Sequence, residues 1–156
     1  LFPYTTLFRS DSARAMRRCA SAALAWSPAS ADGERSVDLL EQLATLRKPI
    51  KSNSQLVHGD LYGTVLFAGS AAPGITDLAP YWRPASWAAG VVVVDALSWG
   101  EADDGLIDRW DALPEWPQML LRALMFRLAV HALHPRATAS AFPGLARTAA
   151  LVRLAL

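Results

Sequence analysis

Val57-His58-Gly59-Asp60-Leu61-Tyr62-Gly63-Thr64-Val65-Leu66-Phe67, followed after a turn containing Gly69, Ser70 and Pro73 by Ile75-Thr76-Asp77-Leu78, decides how this chain folds. The alternation of short β-branched and aromatic runs with Gly, Ser and Pro predicts three short strands separated by turns. They fall at about 55–58, 64–67 and 74–78. On this reading Asp60 and Asp77 sit at the ends of adjacent strands, where the backbone holds each carboxylate in place. Phosphoryl transfer needs such a pair. One carboxylate accepts or orients the proton of the attacking group, and a second holds the Mg²⁺ that bridges the nucleotide phosphates.

The same residues carry a resemblance. His58-Gly59-Asp60-Leu61, then Val65-Leu66-Phe67, then Ile75 to Asp77 resembles the core of the aminoglycoside phosphotransferase and choline kinase superfamily, in which H-G-D-L, a short loop, N-V-L-F and a strand ending in I-D recur. The order and the seventeen-residue gap between Asp60 and Asp77 agree with it. Asp77-Leu78-Ala79-Pro80-Tyr81-Trp82-Arg83-Pro84 is similar to an actinobacterial branch, where D-x-x-P-Y-W-R-P leads into a valine-rich helix. That likeness covers about residues 35–135.

The resemblance implies an α+β, mainly helical fold, the C-terminal lobe of a protein-kinase-like architecture with a small β-element at about 55–78. It implies ATP and Mg²⁺ as cofactors and a small-molecule hydroxyl as phosphate acceptor. Asp60 is the expected catalytic base or orienter, and Asp77 the expected metal and nucleotide ligand. The family's metal-binding asparagine falls on Thr64, in a loop one residue shorter. A threonine hydroxyl is a weaker, shorter-reaching ligand than an amide carbonyl, so a catalytically silent nucleotide-binding module stands as the alternative. His58 is expected to pack and bond around the catalytic loop. Asp95, deep in an apolar segment, is expected to bond the backbone near residues 58–60. Arg83, Asp103 and Asp104 are the candidate substrate contacts, each with an ordinary surface ion pair as its plainer explanation.

Leu1-Phe2-Pro3-Tyr4-Thr5-Thr6-Leu7-Phe8-Arg9-Ser10 has no counterpart in that family and resembles the translation of a DNA-sequencing adapter. Residues 1–10 are therefore read as a non-native tail and 11–156 as the kinase-like lobe. A partner N-terminal lobe is expected upstream. Residues 11–57 hold one glycine, Gly33, and so no glycine-rich phosphate loop; Lys48 and Lys51 flank Pro49 rather than lying on an apolar strand.

Composition narrows the alternatives. A chain of 156 residues that is 53% hydrophobic can bury a core of its own. A net charge of +1 provides no electrostatic drive toward nucleic acid or an anionic membrane, and neither is expected as a partner. The single cysteine, Cys19, excludes an intrachain disulfide and argues against a thiolate zinc site. No run reaches the roughly 18 apolar residues of a spanning helix: Asp95 follows Val91 to Val94, and 119–133 contains Arg122, Arg127 and His131. A soluble cytoplasmic protein is the resulting expectation.

Helices are predicted at 12–26, at 36–47 with Ser36 as N-cap and Pro49 as its stop, at 85–98, at 118–134, and at 142–154. Residues 27–33 and the proline-bracketed 80–84 are predicted as loops. His131 and His134 are expected to complement the dipole at a helix C-terminus. The acidic run Glu101, Asp103, Asp104, Asp108, Asp111 and Glu115 is expected to be a solvated loop and helix start.

Overall fold

In the computed structural model, residues 31–134 and 137–156 are described. The expectations for residues 1–10, the helix at 12–26 and Pro135 lie outside them. The architecture is α+β and mainly helical, with two small antiparallel sheets.

Helix α1 (Ala31–Ala44) begins five residues before the expected cap. Ser36 is fully buried inside it, and its hydroxyl is 2.8 Å from Nδ1 of His131. The serine therefore joins two helices rather than capping one. An isolated Ser ahead of a leucine pattern fits either role, and the burial of its face against a histidine decides it here. The expected loop at 27–33 is corrected over its last three residues, which are helical.

Strand β1 (Gln55–His58) pairs antiparallel with β4 (Pro80–Arg83), with Leu56 opposite Trp82 and Val57 opposite Tyr81. Strand β2 (Val65–Leu66) pairs with β3 (Gly74–Ile75). The predicted loop at 80–83 is thus a strand, and the β-element runs to Arg83 rather than ending at 78. The two prolines mislead because Pro80 sits at the first strand position of a two-stranded sheet, where a missing N–H is tolerated. β1 pairs with β4, so Asp60 and Asp77 do not end neighbouring strands of one sheet.

Helix α2 (Ala85–Trp99) crosses α3 (Trp116–Leu133), and α4 (Phe142–Leu154) packs against both. α3 is apolar on nearly all sides, as a helix at the centre of a core must be. Met119, Leu120, Leu121, Leu124 and Leu128 are fully buried; Val91 and Val94 of α2 and Leu145 and Val152 of α4 meet them in one core. The valine run of α2 overrides its β propensity through this burial. A short 3-10 helix, Asp104–Trp110, is anchored by the Trp116 indole N–H donating to the Ile107 carbonyl at 2.7 Å.

The sheet reaches this core through three rings. Tyr81, Trp87 and Phe126 lie with centroids 5.4–5.7 Å apart in tilted and edge-on contacts, joining β4, α2 and α3. Gly59 makes that approach possible, because a Cβ there would fall 2.6 Å from Cε2 of Tyr81.

The linker from α1 to β1 has no regular structure, yet its backbone is tied down. Glu115, in the left-handed region at φ 55°, accepts N–H groups of Lys51 and Ser52 at 2.8 Å each, and the Ser52 hydroxyl. Gln118 accepts the Lys48 N–H at 2.8 Å, and Arg122 donates to the Lys48 carbonyl at 2.8 Å. The start of α3 therefore fixes where β1 begins.

Two expectations follow. Gly59→Ala should lower stability by about 1–3 kcal/mol, as overpacking does, read as a fall in thermal midpoint with the tyrosine environment altered by near-UV circular dichroism. The Ser52 hydroxyl, foremost, and the linker N–H groups hold the Glu115 carboxyl below its ordinary value near 4.5. Its depressed value means the folded state binds the proton less readily than the unfolded one. The contribution is present above that ordinary value and is lost as pH falls through the depressed one. Thermal midpoints measured from about pH 6 downward should fall less steeply below 4.5 in Glu115→Gln than in the wild type.

Candidate functional site around Asp60

His58, the last residue of β1, organises the loop that follows. The Asp60 N–H donates to its Nδ1 at 3.0 Å, so that nitrogen is an acceptor. The proton then sits on Nε2, which donates to the Asp77 carbonyl at 2.5 Å. The Ala79 N–H, 3.3 Å from the same Nε2, is a close contact rather than a second full bond in this tautomer. One imidazole thus spans the backbones of Asp60 and Asp77, which lie in segments following different sheets. The Gly59 N–H, donating to the Ala79 carbonyl at 2.8 Å, closes the same junction.

The turn after Asp60 is closed by Thr64. Its N–H donates to the Leu61 carbonyl at 3.1 Å, across Gly63 at φ 79°, a conformation glycine adopts without strain. Its hydroxyl proton is shared by the carbonyls of Asp60 at 2.9 Å and Leu61 at 3.1 Å. Its own carbonyl receives the N–H and hydroxyl of Thr76 at 3.0 and 3.1 Å. Thr64 therefore staples the Asp60 turn to the strand leading to Asp77.

The Asp60 carboxylate meets a residue that the sequence pattern does not single out. Nη2 of Arg127, on α3, donates to Asp60 Oδ1 at 2.7 Å. The same guanidinium grips Asp95 of α2 with Nε to Oδ1 at 2.6 Å and Nη2 to Oδ2. Asp95 is 2% exposed and Arg127 9%, whereas half of the Asp60 side chain is open to solvent. Asp95 is buried, but the expected bonds to the backbone at 58–60 are absent among the described residues; its contact with the loop runs through Arg127. A carboxylate deep between helices takes the nearest cation, which offers two parallel charged hydrogen bonds.

Burial pushes the Asp95 carboxyl up, against the pull of Arg127. Burial also opposes the charge on Arg127, but hydrogen bonds and charges from Asp95 and Asp60 more than offset this and hold the guanidinium cationic. These directions pull the pair apart, since a raised Asp95 disfavours the ion pair that a raised Arg127 requires. The two-point contact decides for the ion pair, because both carboxylate oxygens face donors of one guanidinium. Burial likewise raises Tyr81, leaving a neutral phenol beside Asp60 and Arg127.

The other candidates fall elsewhere. The Asp77 side chain is exposed, with no hydrogen bond or ion pair among the described residues. Asp103 accepts from Arg109 at 2.7 Å, and Asp104 pairs with Arg147, both at the surface. Neither is joined by hydrogen bond or ion pair to Asp60, Thr64 or Asp77. Arg83 donates to the Trp82 carbonyl at 2.8 Å and lies 6.0 Å over the Trp87 ring. His131, expected at a helix dipole, is buried, and its Nε2 donates to the Thr138 carbonyl at 3.1 Å. A cavity of about 210 Å³ lined by Trp99, Arg127, Val130, His131 and His134 includes none of Asp60, Thr64 and Asp77.

Among the described residues, no group of three or more His, Cys, Asp or Glu side chains is placed to hold a metal, and no helix is long and apolar enough to cross a membrane. Mg²⁺ does not need a protein cage. It keeps several waters and takes one or two carboxylates together with substrate phosphates. Asp77, an exposed hard oxygen donor, fits that role. Thr64 keeps the oxygen lone pairs a cation would use, but donation to the two turn carbonyls fixes the direction in which this short side chain can offer them.

The chain matches no protein-family model, no curated protein and no solved structure.

Removing the Asp95 carboxylate strands a buried guanidinium. Asp95→Ala should cost on the order of 3–5 kcal/mol in chemical denaturation, and an unchanged midpoint would contradict the contact with Arg127.

Proposed function

We propose that this chain is the C-terminal lobe of an ATP- and Mg²⁺-dependent small-molecule phosphotransferase with a protein-kinase-like fold. The observation that carries the reading is the His58 bridge. It brings the backbones of Asp60 and Asp77 to one imidazole, with the Asp60 carboxylate fixed and half-exposed and the Asp77 carboxylate exposed. Asp60 takes the role of base or orienter for an acceptor hydroxyl. The oxygen of that hydroxyl bonds to the terminal phosphorus of a nucleoside triphosphate, the bridging O–P bond breaks to release the diphosphate, and the proton passes to Asp60. Asp77, with the phosphates, would hold Mg²⁺, which would supply neutralisation of the phosphate charge.

The reading assigns the phosphate-covering loop and lysine to an N-terminal lobe. An exposed apolar surface at the β-element supports that division. Leu56 and Trp82, opposite each other on β1 and β4, are 69% and 66% exposed. Large apolar side chains exposed together mark a surface that another element covers. A cytoplasmic setting accompanies the proposal, as nucleotide-dependent transfer requires an ATP supply.

A threonine hydroxyl whose direction is set by the turn carbonyls favours a second reading, a catalytically silent nucleotide-binding module. Mg-ATP binding and transfer to hydroxyl acceptors, measured on this chain and on the chain extended upstream in its own reading frame, separate the two. The 156-residue chain should show no turnover. The extended chain should transfer phosphate, with Asp60→Asn slowing it by about 10²–10⁴-fold. Binding lost in Asp77→Asn without any turnover would establish the silent module, and no Mg-dependent binding at all would remove both.

A further inference from the structure

We infer that Arg127 is a positioning residue for Asp60: anchored by Asp95, it fixes one carboxylate oxygen and leaves the other to meet the acceptor hydroxyl. The chemistry of this inference rests on the phosphotransferase reading, but its geometry does not.

The guanidinium is a planar fork whose N–H directions are fixed relative to one another. Nε and one proton of Nη2 engage both oxygens of Asp95. Once α2 holds the plane in that way, the second Nη2 proton has one direction left, and it points at Oδ1 of Asp60. Asp95 therefore sets the position of a carboxylate it does not touch. Three elements meet at one group: α2 through Asp95, α3 through Arg127, and the loop after β1 through Asp60.

Stability alone gives little reason for the third contact. The buried pair with Asp95 already compensates the arginine charge, and a bond to a carboxylate half open to water contributes modestly. Its main consequence is order. A half-exposed aspartate on a loop ordinarily samples several χ1 rotamers, and a fixed donor at Oδ1 selects one. Oδ2 has no hydrogen-bond partner among the described residues, so the selected rotamer presents a single open oxygen. In the transfer step that oxygen receives the acceptor's proton as the new O–P bond forms and the bond to the departing diphosphate breaks. A lysine at 127 would keep the charge but lose the fork.

The test is the χ1 distribution of Asp60 in the full chain, read from three-bond couplings of Cγ to the backbone nitrogen and carbonyl carbon. The wild type should show one rotamer. Arg127→Lys and Asp95→Asn should both show averaging, with dispersed amide spectra confirming that each remains folded. Unchanged couplings in Asp95→Asn would overturn the relay through Arg127, because that substitution leaves Asp60 and Arg127 both in place. If either variant does not fold, the wild type still decides: averaged couplings there overturn the inference outright. In the upstream-extended chain, Arg127→Lys should reduce kcat by about 10²-fold while the KM for nucleotide stays unchanged, as a small misplacement of a reacting group does. An ordered Asp60 together with no phosphate transfer by the upstream-extended chain would sink the phosphotransferase reading and leave the positioning role standing; an averaged Asp60 with transfer by the extended chain would do the reverse.

Discussion

A guanidinium enclosed between two packed helices must be matched by a carboxylate, because an unpaired charge there is too costly to bury. Arg127 and Asp95 meet this constraint between α3 and α2, and much of the remaining arrangement depends on it. The two-point contact defines which faces of the helices meet, in a region where Val91, Val94, Leu124 and Leu128 supply packing but little directional preference. Hydrophobic burial would tolerate several registers between such surfaces. A planar pair with both oxygens engaged tolerates very few. The second bond from Nη2 then carries that specification out of the core to Asp60.

Two other devices bring the β-element to the place where Arg127 can reach it. The ring cluster of Tyr81, Trp87 and Phe126 holds β4 against the helices, and Gly59 lets the β1 end lie against Tyr81. The imidazole of His58 then fixes the loop by its tautomer, accepting at Nδ1 and donating at Nε2. Protonating Nδ1 would replace an acceptor by a donor facing the Asp60 N–H. A two-stranded sheet has little stability of its own. The order of this one comes from what it is bonded to.

How much of this the sequence makes legible varies with the kind of signal. The pattern at 142–154 predicts the observed bounds, and α2 and α3 differ from theirs by one or two residues, because long periodic or apolar runs flanked by Pro and Gly are strong local signals. Strand β4 is not legible locally because two prolines outweigh two aromatics, whereas pairing with β1 and packing of Tyr81 are not local. The role of Ser36 is hidden for the same reason: its partner, His131, is 95 residues away. Asp60, His58, Thr64 and Asp77 stand out through the motif that carries the resemblance. Arg127 does not, since one arginine in an apolar helix reads as a break in hydrophobicity. One signal was available. Asp95 lies in an equally apolar helix and requires a cation, and the apolar segment 119–133 offers Arg122, Arg127 and His131.

The two carboxylates of the proposed site differ in how much of their organisation the chain itself supplies. Asp60 has its backbone held by His58, its turn closed by Thr64 and its carboxylate fixed by Arg127. Asp77 has its carbonyl held by His58, while its side chain stands in solvent. Under the phosphotransferase reading this asymmetry matches what each group is asked to do. A base must be aligned before the reaction, since its reacting oxygen has to lie within hydrogen-bond reach of one particular proton. A Mg²⁺ ligand can be ordered as the complex forms, because the octahedral demands of the ion and the phosphates that arrive with it supply the geometry. Rigidity at Asp60 and freedom at Asp77 are then two parts of one arrangement, with the ligand completing the half that the protein leaves open.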